Sequence, residues 1–193
     1  MGLVILLSSL VVFIMIYMYI QKNSELIYVK SSHNNKEYLV QNFEDKQEAA
    51  DLISRLVDKL DKLVNSLLEK NPNKKNVIRL KERFNKDNIM ENNSNDQYTS
   101  YSINKGEQII FCIRSRDGNN KLIDLNTLMF VALHEMAHLM SESIGHTDEF
   151  WNNFKFILKH AEERGLYKNI DYSKNPKKYC GMEITDNPMY HSK

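Results

Sequence analysis

Two histidines four residues apart, with a glutamate directly after the first, form the segment His134-Glu135-Met136-Ala137-His138. On an α-helix the two imidazoles lie one turn apart on the same face, so both can bind one metal ion. Zinc favours nitrogen ligands in a tetrahedral arrangement, and its catalytic sites leave one position open. A glutamate at this spacing accepts the proton of zinc-bound water and passes it to the leaving nitrogen. The pattern therefore predicts a Zn2+ site with His134 and His138 as ligands and Glu135 as general base.

A catalytic zinc site of this kind needs a third protein ligand. His146 is the first candidate, because the glycine directly before it can end the helix and turn the chain back towards the metal. A carboxylate on the following helix, Glu162 or Glu163, is the alternative. The metzincin spacing would require glycine at position 141 and histidine at position 144, where this chain has Ser141 and Ile144, so that class is excluded.

Several predicted elements surround this segment. The motif lies within a predicted helix over residues 125–143, capped by Asp124 or Asn126, and a second helix capped by Thr147 extends to about residue 163. Two runs rich in tyrosine, isoleucine and phenylalanine, residues 97–103 and 108–114, flank Asn104-Lys105-Gly106 and predict a hairpin. Apolar residues recur with helical spacing over residues 45–70 and 77–84.

The remaining stretches give weaker signals. Residues 37–40 suit a short strand, residues 88–96 are rich in asparagine and predict a loop, and residues 166–193 show no clear periodicity. The expected fold class is α+β and zincin-like. It comprises a small antiparallel sheet, an active-site helix and packing helices, plus an N-terminal transmembrane helix.

Residues 3–20 form an unbroken run of eighteen uncharged residues, which as a helix would extend about 27 Å, close to the thickness of bilayer hydrocarbon. The run lacks the charged start and small-residue cleavage site of a signal peptide, which favours an uncleaved anchor. Lys22, Lys30 and Lys36 follow it and favour a catalytic domain on the cytoplasmic side. The predicted organisation is a transmembrane anchor (1–21), a linker (22–36) and a peptidase domain (37–193).

Bulk composition narrows the function. The 193 residues carry a formal net charge of +1, with 42% apolar and 26% charged residues, so no nucleic-acid partner is expected. The two cysteines, Cys112 and Cys180, do not have a metal-ligand spacing. Two isolated cysteines favour free thiols in a reducing compartment, with a single bridge between them as the alternative.

The motif and the residues after it, 145–151, resemble the WLM and SprT-like group of zinc peptidases. In that group the H-E-x-x-H helix is followed by a third histidine and then by an aromatic pair on the next helix. Over roughly residues 52–188 the chain is also similar to uncharacterised WLM-like metallopeptidases of large DNA viruses. The resemblance implies His134, His138 and His146 as zinc ligands and Glu135 as general base. One departure is the seven-residue gap between His138 and His146, which is longer than is usual in WLM sequences.

The sequence thus predicts a membrane-anchored zinc-dependent peptidase that acts on a peptide or protein substrate. The alternative is a catalytically silent zinc-binding protein with a structural or interaction role at a membrane. Glu135 favours the enzyme, because a purely structural zinc site has no use for a general base. A DNA-linked peptidase, by analogy with SprT-like repair enzymes, is disfavoured by the near-neutral charge and the predicted anchor.

Overall fold

The structure, a computed structural model, describes residues 2–23 and 25–190, with side chains for residues 6–19 and 25–190. Its first element is helix α1 (Gly2–Asn23). Across these described residues, no helix combines the length and apolar character needed to cross a membrane.

The predicted transmembrane anchor over residues 1–21 is therefore wrong, and so is the single-pass membrane localisation that depended on it. The predicted location of the catalytic domain on the cytoplasmic side depended on the same anchor and is therefore wrong as well. Of the three lysines behind that prediction, Lys22 has a side chain outside the described residues.

Eleven further elements follow α1, and in them strands and helices are mostly segregated along the chain, which confirms the α+β part of the predicted fold class. In chain order they are β1 (Leu26–Lys30), β2 (Glu37–Gln41), α2 (Lys46–Lys70), α3 (Lys75–Arg83), β3 (Ile89–Glu91), β4 (Ser100–Ile103), β5 (Gln108–Phe111), α4 (Leu125–Met140), α5 (Asp148–Glu163), β6 (Lys177–Tyr179) and β7 (Met182–Ile184).

The main sheet has three strands in the order β3-β5-β4. Strands β4 and β5 form the predicted antiparallel hairpin, with Ile103 opposite Gln108 next to the turn. Gly106 in that turn has φ +108°, and a Cβ there would lie 2.3 Å from the Arg83 carbonyl oxygen, so glycine is required. Strand β3, where a loop was predicted, pairs parallel to β5. The sheet is therefore mixed, not antiparallel as predicted.

Helix α2 supplies a large part of the core beneath the sheet and the other helices. Its residues Leu56, Leu60, Leu63 and Leu67 are fully buried, as the helical spacing of its apolar residues predicts. The helix packs against β2, α3 and α4, so it supports the helix that carries the histidine motif.

Strand β1 lies within the predicted linker and pairs antiparallel with β2. The turn between these strands is tied to α2 by Asp51, whose carboxylate accepts hydrogen bonds from Ser31 Oγ at 2.7 Å and from the Ser32 main-chain N–H at 2.7 Å. Burial raises the pKa of Asp51, but the bonds from Ser32 and Ser31 outweigh it and hold the pKa at about 2. The division of the chain at residues 21 and 36 stays a prediction.

Candidate metal centre

Helix α4 carries the first two histidines and the glutamate. It begins after Asp124, whose carboxylate accepts a hydrogen bond from the Thr127 main-chain N–H at 2.9 Å, so Asp124 is the N-cap. His134 and His138 are only half-buried, whereas the face of the helix that packs into the core is fully buried. That buried face includes Leu128, Ala132, Leu133, Met136 and Leu139. Packing of this face fixes the rotation of α4 and therefore the direction of both imidazoles.

Two arginines of α3 hold the C-terminal end of α4. Arg83 Nη1 donates to the carbonyl oxygens of Leu139 at 3.0 Å and Ser141 at 2.8 Å, and Arg79 Nη1 donates to that of Met140 at 2.5 Å. These carbonyls have no partner within the helix, and cations at this end also interact favourably with the helix dipole. The helix consequently stops at Met140, three residues earlier than predicted.

Residues 141–147 lead from α4 to α5 and carry the third histidine. The Glu149 carboxylate accepts hydrogen bonds from the main-chain N–H groups of Glu142 at 2.9 Å and Ser143 at 3.0 Å, and from Ser143 Oγ at 2.7 Å. These bonds lower the pKa of Glu149 to about 2. Gly145 takes a left-handed φ of +83°, which turns the chain so that His146 faces α4.

Three imidazoles converge at this place. His134 Nε2 lies 3.3 Å from His138 Nε2 and 3.1 Å from His146 Nε2, and one ligand atom from each ring lies within 4.8 Å of the others. Nitrogens bound to a tetrahedral zinc at about 2.0–2.1 Å are about 3.3 Å apart, so the spacing is compatible with a zinc site. The structure thus brings together all three histidines named from the sequence.

The alternative ligands lie elsewhere. Glu162 and Glu163 are exposed at the C-terminal end of α5, where Glu163 lies 3.7 Å from Lys70 Nζ and Glu162 Oε2 accepts a bond from Asn169. Neither belongs to the group of described side chains that could share a metal with His134. This placement favours His146 as third ligand.

The protonation state of the imidazoles suits metal binding. Burial, reinforced by the neighbouring imidazoles of His138 and His146, lowers the pKa of His134 to about 3. Burial and the imidazole of His146 lower the pKa of His138 to about 4. Both rings are neutral at pH 7, and a neutral imidazole has a nitrogen lone pair free for a metal.

Phe150 of α5 lies beneath all three rings. Its centroid is 4.8 Å from that of His134, 4.3 Å from that of His138 and 4.7 Å from that of His146, and its side chain is fully buried. Phe154 adds a second contact to His134 at 5.3 Å. These aromatic side chains restrict the imidazoles to few orientations.

Glu135 is almost fully buried, yet it lines two cavities that meet at the histidines. Burial raises the pKa of its carboxyl to about 8. A divalent cation held by the neighbouring imidazoles would favour the carboxylate and lower that pKa again. Glu135 therefore lies beside the histidines, on the same space that a substrate can enter.

The two cavities differ in chemistry. The loop-side cavity, about 530 Å³, is bordered by β4 and residues 143–146, and its lining includes Ser100, Ser102 and Lys105. The tail-side cavity, about 340 Å³, lies between α4 and the hairpin of β6 and β7, hereafter the tail hairpin. Both cavities contact His134, Glu135 and His146, so together they form one cleft across the histidines.

A disulfide joins the sheet to the tail hairpin. Cys112, just after β5, is bonded to Cys180, in the turn of the hairpin, so the prediction of free thiols is wrong and the single bridge is present. Tyr179 reinforces the connection, because its hydroxyl lies 2.6 Å from Ser100 Oγ and donates to the Cys112 carbonyl oxygen at 2.8 Å. The even number of cysteines was a signal for this bridge, but their separation along the chain gave no indication that they meet.

The chain is similar to proteins of viruses. It is 37% identical over 168 residues to the uncharacterized protein R325 of Acanthamoeba polyphaga mimivirus, and the match covers 84% of each chain. The chain belongs to the family of this mimivirus protein. A shorter match within viruses, 45% identical over 69 residues, is to the uncharacterized protein 136R of Invertebrate iridescent virus 6 and covers 35% of this chain and 38% of that protein. The predicted similarity to uncharacterised proteins of large DNA viruses is therefore confirmed.

No protein-family model matches the chain. Among solved structures, the crystal structure of Wss1 from Saccharomyces cerevisiae is similar with a TM-score of 0.49 and 21% identity, covering 66% of this chain and 89% of that chain.

Proposed function

We propose that this chain is a zinc-dependent peptidase in which Glu135 is the general base. The observation that carries the proposal is the convergence of three imidazole nitrogens at zinc-ligand spacing next to a buried glutamate in an open cleft. The resemblance of residues 134–151 to WLM and SprT-like zinc peptidases supports the same chemistry and the same residue roles.

His134, His138 and His146 would hold the ion through their Nε2 atoms. When bound there, zinc supplies a Lewis acid that lowers the pKa of a coordinated water to near 7. Glu135 accepts the proton of the attacking water and donates it to the amine nitrogen as the C–N bond breaks. Because its carboxylate lies in both cavities, Glu135 has access to the water and to the leaving group.

The shape of the cleft favours an extended peptide as substrate. Strand β4 is at the edge of the described sheet, and its residues Ser100, Tyr101 and Ser102 line the loop-side cavity. An extended chain can pair with such an edge through main-chain hydrogen bonds, with alternate side chains pointing into the cleft. A substrate bound in this way would pass its main chain over the histidines.

A catalytically silent zinc-binding protein is the alternative. Structural zinc sites are closed by four protein ligands, whereas the three histidines here lie at the junction of two cavities. The open cleft and Glu135 both favour the enzyme.

Hydrolysis by wild type and by Glu135→Gln, both loaded with zinc to the same content, tests the proposal. The amide has nearly the shape of the carboxylate but cannot accept the proton, so we expect cleavage of an unstructured protein such as casein to fall by about 10²- to 10⁴-fold at unchanged zinc content. Glu162→Gln is the matched control, because it makes the same chemical change at an exposed position outside the cleft.

Equal turnover of wild type and Glu135→Gln would contradict the role of Glu135. Absence of hydrolysis by zinc-loaded wild type over a broad peptide library would contradict the peptidase proposal and favour the silent zinc-binding protein.

A further inference from the structure

The tail-side cavity has apolar side chains on two opposite sides. Phe130 and Val131 line it from α4, and Met182 and Ile184 line it from β7 of the tail hairpin. Met182 is 51% exposed, so a large apolar side chain is presented to solvent within the cleft. Apolar surface that converges in a cavity beside reactive groups is the usual feature of a ligand pocket.

The tail hairpin is held in a fixed position by its turn, a disulfide and an ion pair. Its two-residue turn, Cys180-Gly181, has φ values of +48° and +83°, the positive φ at both positions that a type I′ turn requires. An isolated two-stranded hairpin is only marginally stable. Here the Cys112–Cys180 disulfide holds the turn, and Lys177 Nζ forms an ion pair of 2.9 Å with the Asp124 carboxylate at the start of α4. The cavity is therefore formed before any ligand enters.

We propose that the tail-side cavity binds one apolar side chain of the substrate, at a position that directly flanks the cleaved bond. This inference rests on the proposed peptidase function. His134 and Glu135 line the cavity, so a side chain inside it belongs to a residue next to the reacting carbonyl. The volume of about 340 Å³ accepts a leucine, methionine or phenylalanine side chain.

The loop-side cavity is more polar than the tail-side cavity, so an apolar substrate side chain should prefer the tail-side cavity. In the loop-side cavity, polar side chains, among them serines, Asn104 and Lys105, outnumber the apolar ones, Tyr101 and Ile144, so an apolar side chain gains less there. The Asp186 carboxylate lines the tail-side cavity, which disfavours an acidic substrate residue at that position. Burial of a leucine side chain corresponds to about a 10- to 100-fold gain in kcat/KM over serine. The expected order at the selected position is leucine, then serine, then aspartate.

Cleavage of a peptide library, read by mass spectrometry, identifies the position flanking the bond at which apolar residues are enriched. Peptides with leucine, serine or alanine at that position are then compared. Ile184→Ser should reduce the leucine-to-serine ratio of kcat/KM by about tenfold. Val131→Phe should narrow the cavity and shift the preference towards alanine. Ile78→Ser is the matched control, because Ile78 is exposed on α3 and lines neither cavity, and it should keep the wild-type ratio.

Binding gives a readout without turnover. Fluorescence anisotropy with Glu135→Gln should show tighter binding of the leucine peptide than of the serine peptide, and adding Ile184→Ser should remove the difference. Active wild type without an apolar preference, or with a preference that Ile184→Ser and Val131→Phe leave unchanged, overturns the cavity assignment and leaves the peptidase proposal standing. If zinc-loaded wild type cleaves nothing, the peptidase proposal fails. The binding comparison then tests the assignment of the tail-side cavity by itself, and equal affinity for the leucine and serine peptides overturns that assignment.

Discussion

Replacing both Cys112 and Cys180 with serine is expected to destabilise the fold by about 4 kcal/mol. The bridge closes a loop of 68 residues, and in the chain-entropy model a cross-link over that length lowers the entropy of the unfolded chain by an amount worth about 4 kcal/mol at 25 °C. The substitution isolates this effect well. Cys180 Sγ lies 3.3 Å from the Cys112 carbonyl oxygen and 3.1 Å from that of Arg114, so a serine hydroxyl at position 180 can donate to a carbonyl there.

Urea unfolding followed by the fluorescence of Trp151, the one tryptophan in the sequence, measures the change. Wild type should show no free thiol under denaturing conditions before reduction and two after it. Reductant should lower the free energy of unfolding of wild type to that of the double variant and leave the variant unaffected. A difference below about 1 kcal/mol between oxidised wild type and the double variant would refute the reasoning, since the cross-link would then contribute little to stability.

Two further predictions concern carboxylates that organise the site and its support. Glu149→Gln should weaken zinc binding by about tenfold, because the neutral amide holds the main-chain N–H groups of Glu142 and Ser143, before His146, less strongly than the carboxylate does. Competition with a chelator measures the zinc affinity, and an unchanged affinity would contradict this role of Glu149. Asp51 has a folded-state pKa of about 2, below its usual value of 3.8, so its stabilising effect is present above pH 4 and disappears as the pH falls towards 2. Urea midpoints between pH 5 and 2 should therefore fall less in Asp51→Asn than in wild type, and parallel pH curves would contradict the assignment.

The parts predicted well from the sequence are those with a local signal. The apolar spacing of α2 continues from Ala49 to Leu67, the turn Asn104-Lys105-Gly106 favours a hairpin, and Asp124 and Thr147 are good N-caps. The motif helix and His146 were named from residue type and spacing alone.

The parts that were missed depend on contacts between distant residues. Strands β3, β6 and β7 have three residues each, too few for a period to show, and β3 forms only by pairing with β5. The cysteine pair is separated by 68 residues, and nothing local indicates that the tail returns to the sheet. The tail-side cavity could therefore not be predicted from the sequence, because five of its twelve lining residues belong to that returning segment.

An X-ray absorption spectrum at the zinc edge, recorded on the protein loaded with one equivalent of zinc, tests the central claim most directly. The account predicts a four-coordinate ion with three imidazole ligands at about 2.0–2.1 Å and one further oxygen ligand. His146→Ala should remove one imidazole from the spectrum, while Glu162→Ala and Glu163→Ala should leave it unchanged. Failure to take up zinc, or a spectrum in which His146→Ala changes nothing and a glutamate substitution removes a ligand, would contradict the account.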